Sequence, residues 1–256
     1  MATQTPLRAG LHLYTVRDDI KRDAEATLRA VAGMGYRAVS GLGLPGGRTP
    51  AQVRDWAKGL GLDLAVEHVS LEEIERTPDA ALDRIGGMGV AYATLAWVNE
   101  DHRKTAEDIA ALAAALNGFA KASAARGIRF QYHNHDFEFR PVEGMSYFDR
   151  LLGATDPATV GIMLDVGWVQ RAGEDPVGWL RKLGSRVRTI HLKDTTKNPD
   201  GRWAEIGRGV LDVKGVLGAC RDLGVAWALV EQDTCDRPPL ESAAISLQAL
   251  RALGAA

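Results

Sequence analysis

Cysteine is almost absent: the 256-residue chain has two, Cys220 and Cys235. They form no Cys-X-X-Cys pair and no disulfide framework, which excludes a fold held by disulfide staples. Cys220 lies in an apolar helical stretch and is expected in the core. Cys235 follows the last strand, close to where a site would lie, and an inert buried thiol is its competing reading. Excess charge of one sign is also lacking. Lys and Arg number 31 against 33 Asp and Glu, interspersed, for a net charge of −2. That removes the usual reason to expect nucleic acid or an anionic membrane as a partner. No apolar run reaches the ~20 residues of a membrane span. Met1-Ala2-Thr3-Gln4-Thr5-Pro6 lacks the basic region and apolar segment of a secretory signal. The expectation is a soluble, cytoplasmic protein. A glycine-rich dinucleotide fingerprint after the first strand is missing too, as are linkers and low-complexity segments.

What is present is a repeated phrase: an amphipathic helix, a glycine, then a short apolar strand. It occurs at Met34-Gly35-Tyr36, Leu60-Gly61-Leu62, Met88-Gly89-Val90, Arg126-Gly127-Ile128, Leu183-Gly184-Ser185 and Leu223-Gly224-Val225. Glycine there suits a left-handed helix end. Helix–strand alternation builds a parallel sheet. Eight strands are expected near 9–14, 36–41, 63–68, 91–97, 128–133, 160–165, 187–192 and 226–231. Helices fill the intervals. One opens at Thr49-Pro50, with Val53, Trp56, Ala57 and Leu60 on one face. Another runs from about Thr105 to Ala125, a third follows Pro176 with Trp179 and Leu180 inward, and the last follows Pro238-Pro239. Several strands are apolar almost throughout, as when both faces are covered. Eight such units in this length predict a single-domain (β/α)8 TIM barrel over residues 1–256.

In such a barrel function sits at the carboxyl ends of the strands. Four apolar runs in the second half end in a residue able to hold a metal: His133, Asp165, His191 and Glu231. Two imidazoles and two carboxylates on one rim would make a site for a divalent cation. Other polar residues gather at the same ends: His12 and Tyr14, Glu67 and His68, Trp97, Asn134 and His135, Lys193, and Asp233. Of six histidines only His102 falls clearly elsewhere. Each residue alone also has a plainer reading. A strand-end histidine is often a hydrogen-bonded structural group. Asp165 precedes Gly167-Trp168-Val169 and reads equally as a helix N-cap. Glu231 reads also as a salt-bridge partner. So does Lys193, with Asp194 or Glu231, against a role polarising a substrate oxygen. Trp97 and Trp168 read as apolar walls of a site or as barrel packing. Arg208 lies in a Gly-Arg-Gly loop, the kind of place where barrels bind phosphate, but the motif is too weak to infer one.

Tyr132-His133-Asn134-His135-Asp136-Phe137-Glu138-Phe139 resembles a signature of the sugar phosphate isomerase/epimerase family, the xylose isomerase-like TIM barrels. Leu164-Asp165-Val166-Gly167, Ile190-His191-Leu192-Lys193-Asp194, Glu205-Ile206-Gly207-Arg208-Gly209-Val210-Leu211-Asp212 and the opening Gly10-Leu11-His12-Leu13-Tyr14-Thr15-Val16-Arg17-Asp18 are similar to the family as well. The resemblance covers nearly the whole chain. It implies one divalent metal, Mn2+ foremost, on a Glu, an Asp, a His and a Glu from strands five to eight. Asp165, His191 and Glu231 match the last three, while His133 stands where the family carries the first Glu. Trp168 stands where many relatives have a histidine belonging to a multi-zinc DNA-repair site, which argues against that chemistry.

The resemblance further implies an isomerase or epimerase acting on a sugar or related polyhydroxy carbonyl compound by proton abstraction beside the carbonyl. In such enzymes two carboxylates move the proton, and only Glu231 of that pair remains. Glu231 is therefore the candidate base, with His133 and Lys193 beside it as catalytic candidates. His68, His135, Trp97, Trp168 and Arg208 are candidate substrate contacts. The loss of one carboxylate brings forward a second reading, a keto-sugar or inosose dehydratase or lyase working by β-elimination. A reading of a different class is a non-catalytic sugar-binding barrel. Zn2+, Co2+ or Fe2+ would suit the same mixed donors. A homo-oligomer is compatible with the pattern, because barrel helices conceal any interface signal.

Overall fold

Eight runs rich in Val, Ile, Leu and Ala pair in parallel and close on themselves in a computed structural model describing residues 7–197 and 201–255. The reading of Met1–Pro6 lies outside the described residues. The strands are β1 (Arg8–His12), β2 (Ala38–Ser40), β3 (Asp63–Val69), β4 (Tyr92–Leu95), β5 (Arg129–His133), β6 (Gly161–Asp165), β7 (Val187–Leu192) and β8 (Trp227–Val230). Each pairs with its neighbours in sequence, and β8 closes onto β1. The expected TIM barrel is therefore the observed fold. Among the described residues no helix is long and apolar enough to cross a membrane.

Helix starts follow local chemistry. Thr49 caps Pro50–Gly59 with Gln52 answering in a capping box, and Thr105 with Asp108 does the same for Ala106–Ala125. Gly224 ends Val213–Leu223 in the left-handed region at φ 69°, where a side chain would be strained. Trp179, Leu180 and Cys220 are buried as expected. The main core lies between barrel and helices. A smaller cluster, including Ala38, Ala65, Tyr92, Met163, Trp227 and Leu229, packs separately from it. By strand alternation Met163 and Leu229 share a face with Asp165 and Glu231, so this cluster fills the barrel interior.

Three details differ from expectation. β1 stops at His12, because Leu13–Val16 turns into a 3-10 helix. β4 stops at Leu95, which leaves Trp97 in the following loop. Two ribbons with two-residue strands also form, Pro141–Val142 with Met145–Ser146 and Asp194–Thr195 with Trp203–Ala204.

Candidate active site

Side chains two apart on a strand share a face. On the inward face Gln131 Nε2 donates to Thr94 Oγ1 and Thr189 Oγ1, both at 2.8 Å. All three residues are buried, and their mutual bonds make a satisfied polar floor across the barrel. One step further along, β5 and β7 present His133 and His191. β6 ends on Asp165, and Glu231 directly follows β8. One donor atom from each of these four lies within 4.8 Å of the others, and all four residues are buried.

Asp165 caps a helix with one oxygen, as one of its sequence readings expected, and turns the other toward the quartet. Its Oδ1 accepts from Trp168 N at 2.9 Å and caps the helix Val166–Arg171. Its Oδ2 lies 3.3 Å from His133 Nε2 and 3.7 Å from His191 Nδ1. Asn134 fixes the Asp165 backbone from both sides. Its Oδ1 accepts from Asp165 N at 2.9 Å, and its Nδ2 donates to Asp165 O at 3.3 Å. His191 Nδ1 and Glu231 Oε2 approach to 2.6 Å, yet neither atom has a hydrogen-bond partner. Buried polar atoms rarely stay unpaired. Two imidazoles and two carboxylates converging here, with His191 able to release its proton to a metal, make a mixed nitrogen–oxygen ligand set, so the four residues fit a divalent cation.

The rest of the signature supports His135. Buried Glu138 accepts from His135 N and from the Tyr132 hydroxyl, both at 2.7 Å. Burial pushes its carboxyl up to about 8, against these two donors.

Lys193 is 2% exposed. Its Nζ lies 3.2 Å from Asp165, 3.3 Å from Glu231 and 3.1 Å from Asp233. Its competing salt-bridge reading named Asp194 or Glu231; the observed partners include Glu231 but not Asp194. Burial disfavours the ammonium, but the three carboxylates outweigh that and hold it protonated. Burial likewise raises Glu231, and Lys193 and His191 more than reverse it, leaving the carboxyl well below its usual range. His191 is carried to about 9: burial lowers it, and Glu231 and Asp165 overcome the burial. His12 falls to about 4 and His68 well below its usual value, chiefly through burial. Gly167 explains the glycine of the Leu-Asp-Val-Gly motif. A Cβ there would stand 2.5 Å from Lys193 Cβ and 3.0 Å from Lys193 O.

Above the quartet opens a cavity of about 470 Å³. His68, His135, Trp97, Trp168 and Lys193 line it, as do His133, His191 and Glu231. Trp168 packs edge-on against Trp203 at 4.8 Å. Arg208 stands apart: it is exposed and outside this lining. The amides of Gly207, Gly209 and Leu211 around it all donate to Asp194, so the loop's donors are already taken. Cys235 is also outside the lining. Three lining residues were noted at strand ends but not singled out as site residues, His12, Tyr14 and Asp233. His12 stacks on His191 at 4.6 Å with Nε2 3.8 Å from Glu231 Oε1. Asp233 lies two residues beyond Glu231, and that spacing was its signal.

The model of the xylose isomerase-like TIM barrel family matches residues 28–253. The chain belongs to this family. A solved sugar phosphate isomerase/epimerase from Parabacteroides distasonis ATCC 8503 superposes with a TM-score of 0.83 at 21% identity, covering 98% of this chain and 95% of that one. The solved IOLI protein with a bound zinc atom gives 0.75 at 12% identity, covering 96% and 98%. At such identities the likeness is one of fold. Among curated relatives, an inosose dehydratase from Clostridium tetani is 30% identical over 158 residues, 54% of this chain and 52% of that protein. The chain matches about half or less of the length of such relatives.

Proposed function

We propose that the protein is a divalent-metal-dependent isomerase or epimerase that removes a proton beside the carbonyl of a sugar or related polyhydroxylated compound. The observation carrying this reading is the buried quartet His133, Asp165, His191 and Glu231, with unpaired donor atoms at the floor of an open cavity. A divalent cation bound there would supply Lewis acidity to a carbonyl and its neighbouring hydroxyl, acidifying the C–H of the hydroxyl-bearing carbon. Mn2+ is the foremost expectation; Zn2+, Co2+ and Fe2+ suit the same donors.

Glu231 takes the proton. Its Oε1 is the oxygen farther from His191 and Lys193, and the neighbouring cations keep the group in its ionised, acceptor form. Lys193 stays charged and offers its ammonium to the oxygen on which negative charge develops. His68 and His135 contact substrate hydroxyls, and Trp97 and Trp168 face its C–H surfaces. The buried polar surroundings favour a single orientation of a small hydroxylated ligand.

Two observations favour β-elimination as the second reading. By the resemblance of the sequence, His133 stands where the family carries its other carboxylate, and the curated relatives include inosose dehydratases. Asp233, whose carboxyl burial pushes up against the opposing pull of Lys193, lines the same cavity. It can pass a proton to a departing hydroxyl, which then leaves as water.

Incubating the Mn2+-loaded protein with ketoses and keto-inositols in D2O separates the readings. Deuterium in recovered or rearranged sugar supports the isomerase. Loss of water with enone absorbance supports the dehydratase. A metal-loaded protein that binds these compounds and catalyses neither is a sugar-binding barrel, and the proposal fails.

A further inference from the structure

A second cavity, of about 740 Å³, adjoins the one above the quartet. The two share His68, Ala96 and Trp97 in their linings. The outer one is bounded further by the helix Leu71–Arg76 and by Asn99 and His102. Trp97 is 56% exposed, the most exposed of the large hydrophobic residues. The indole is nevertheless fixed in direction. Its Nε1 donates to Asn99 Oδ1 at 3.0 Å. His135 and Phe137 meet it edge-on, with ring centroids at 5.1 and 5.7 Å. An exposed aromatic ring held in one orientation between two cavities of mixed polar and apolar lining is a recognition surface. It matches a pyranose, which has a C–H face to stack and a rim of hydroxyls to hydrogen-bond.

Charge narrows the ligand further. Glu72, Glu73 and Glu75 line the outer cavity against a single guanidinium, Arg76. Glu72 pairs with Arg76 at 3.3 Å and Glu73 with Arg84 at 2.9 Å, while Glu75 makes no ion pair among the described residues. A phosphate or carboxylate entering here meets like charge.

We infer that the outer cavity is a subsite for a second, neutral sugar ring, so that a glycoside of disaccharide size, with the carbonyl on the ring in the inner cavity, is preferred over a free monosaccharide or a sugar phosphate. The inference rests on the inner cavity holding the reacting ring, as proposed above. At about 470 Å³ the inner cavity falls in the ~300–1,000 Å³ range of small-ligand pockets, and the outer cavity adds a second chamber of that class.

The test is calorimetric titration of the Mn2+-loaded protein with D-glucose, with neutral disaccharides (cellobiose, maltose, trehalose) and with cellobiuronic acid. The expected result is at least one neutral disaccharide binding about tenfold tighter than glucose, with the uronic acid weaker than cellobiose. Glu72→Lys with Glu75→Lys, both at exposed positions, should shift the ratio of uronic acid to cellobiose affinity upward severalfold. Disaccharides binding no better than glucose, or not at all at millimolar concentration, would overturn the inference. So would an unchanged ratio in the charge-reversed protein. Metal content and deuterium exchange report on the proposed reaction separately. Disaccharide preference without exchange would leave the subsite standing and remove the reaction.

Discussion

Replacing Lys193 with methionine removes a buried ammonium while keeping most of the side chain's volume. In the metal-free protein that ammonium lies 3.1–3.3 Å from carboxylate oxygens of Asp165, Glu231 and Asp233. Asp165 and Asp233 lose their nearest positive charge and Glu231 keeps only His191 close by, and breaking a buried ion pair from one side costs about 3–5 kcal/mol. For a domain of this size each kcal/mol moves the melting midpoint by about 2–4 °C, so the metal-free variant should melt roughly 6–20 °C below wild type. A divalent cation on His133, Asp165, His191 and Glu231 would restore positive charge beside two of the three. Saturating Mn2+ should therefore raise the variant's midpoint by more than it raises wild type's, recovering most of the loss. Thermal melts by circular dichroism, with chelator and with Mn2+, give the four midpoints needed. If Mn2+ raises both proteins equally, the cation does not bind among these carboxylates and the reasoning is wrong.

Glu231→Gln should abolish proton exchange into a ketose or keto-inositol and weaken Mn2+ binding; full exchange in that variant would remove Glu231 as base. Gly167→Ala forces a methyl against Lys193 Cβ at 2.5 Å and should destabilise the fold by about 1–3 kcal/mol, read by urea denaturation. His191, held near 9 without metal, must lose its proton to become a ligand. Mn2+ affinity should accordingly rise with pH through neutrality and level off near 9. Calorimetry in two buffers of different ionisation enthalpy at pH 7 should report about one proton released per metal, and no release would contradict the assignment of His191. The sign also fixes its stability effect. A histidine whose pKa is raised on folding contributes stability fully below its unfolded value near 6.5, and that contribution is lost as pH rises to about 9.

The barrel and the quartet were legible for one reason. Each of His133, Asp165, His191 and Glu231 ends an apolar run, and a parallel barrel brings all such ends to one rim without further long-range information. Other features depend on partners distant in sequence. His12 sat visibly at a strand end, but its stacking on His191 follows from β8 lying between β1 and β7. Arg208 drew attention through its flanking glycines, whose amides instead serve Asp194, on the far side of a ribbon too short to leave a hydrophobic pattern. The outer cavity arises where the helix Leu71–Arg76 faces the loop carrying Trp97 and Asn99, and no periodicity reports such a juxtaposition. Asp165 illustrates a further limit: cap and ligand look like alternatives in one dimension, but in the fold one oxygen caps the helix and the other is left facing the quartet.

The most direct test of the account is metal content. Protein purified without chelator or tag, and again after Mn2+ reconstitution, would be analysed by inductively coupled plasma mass spectrometry beside Asp165→Asn. That substitution keeps an oxygen for the Trp168 cap and removes the charge at the centre. The account predicts about one divalent ion per chain in wild type and a large loss in the variant. No ion in wild type even after reconstitution, or equal occupancy in both proteins, would contradict it.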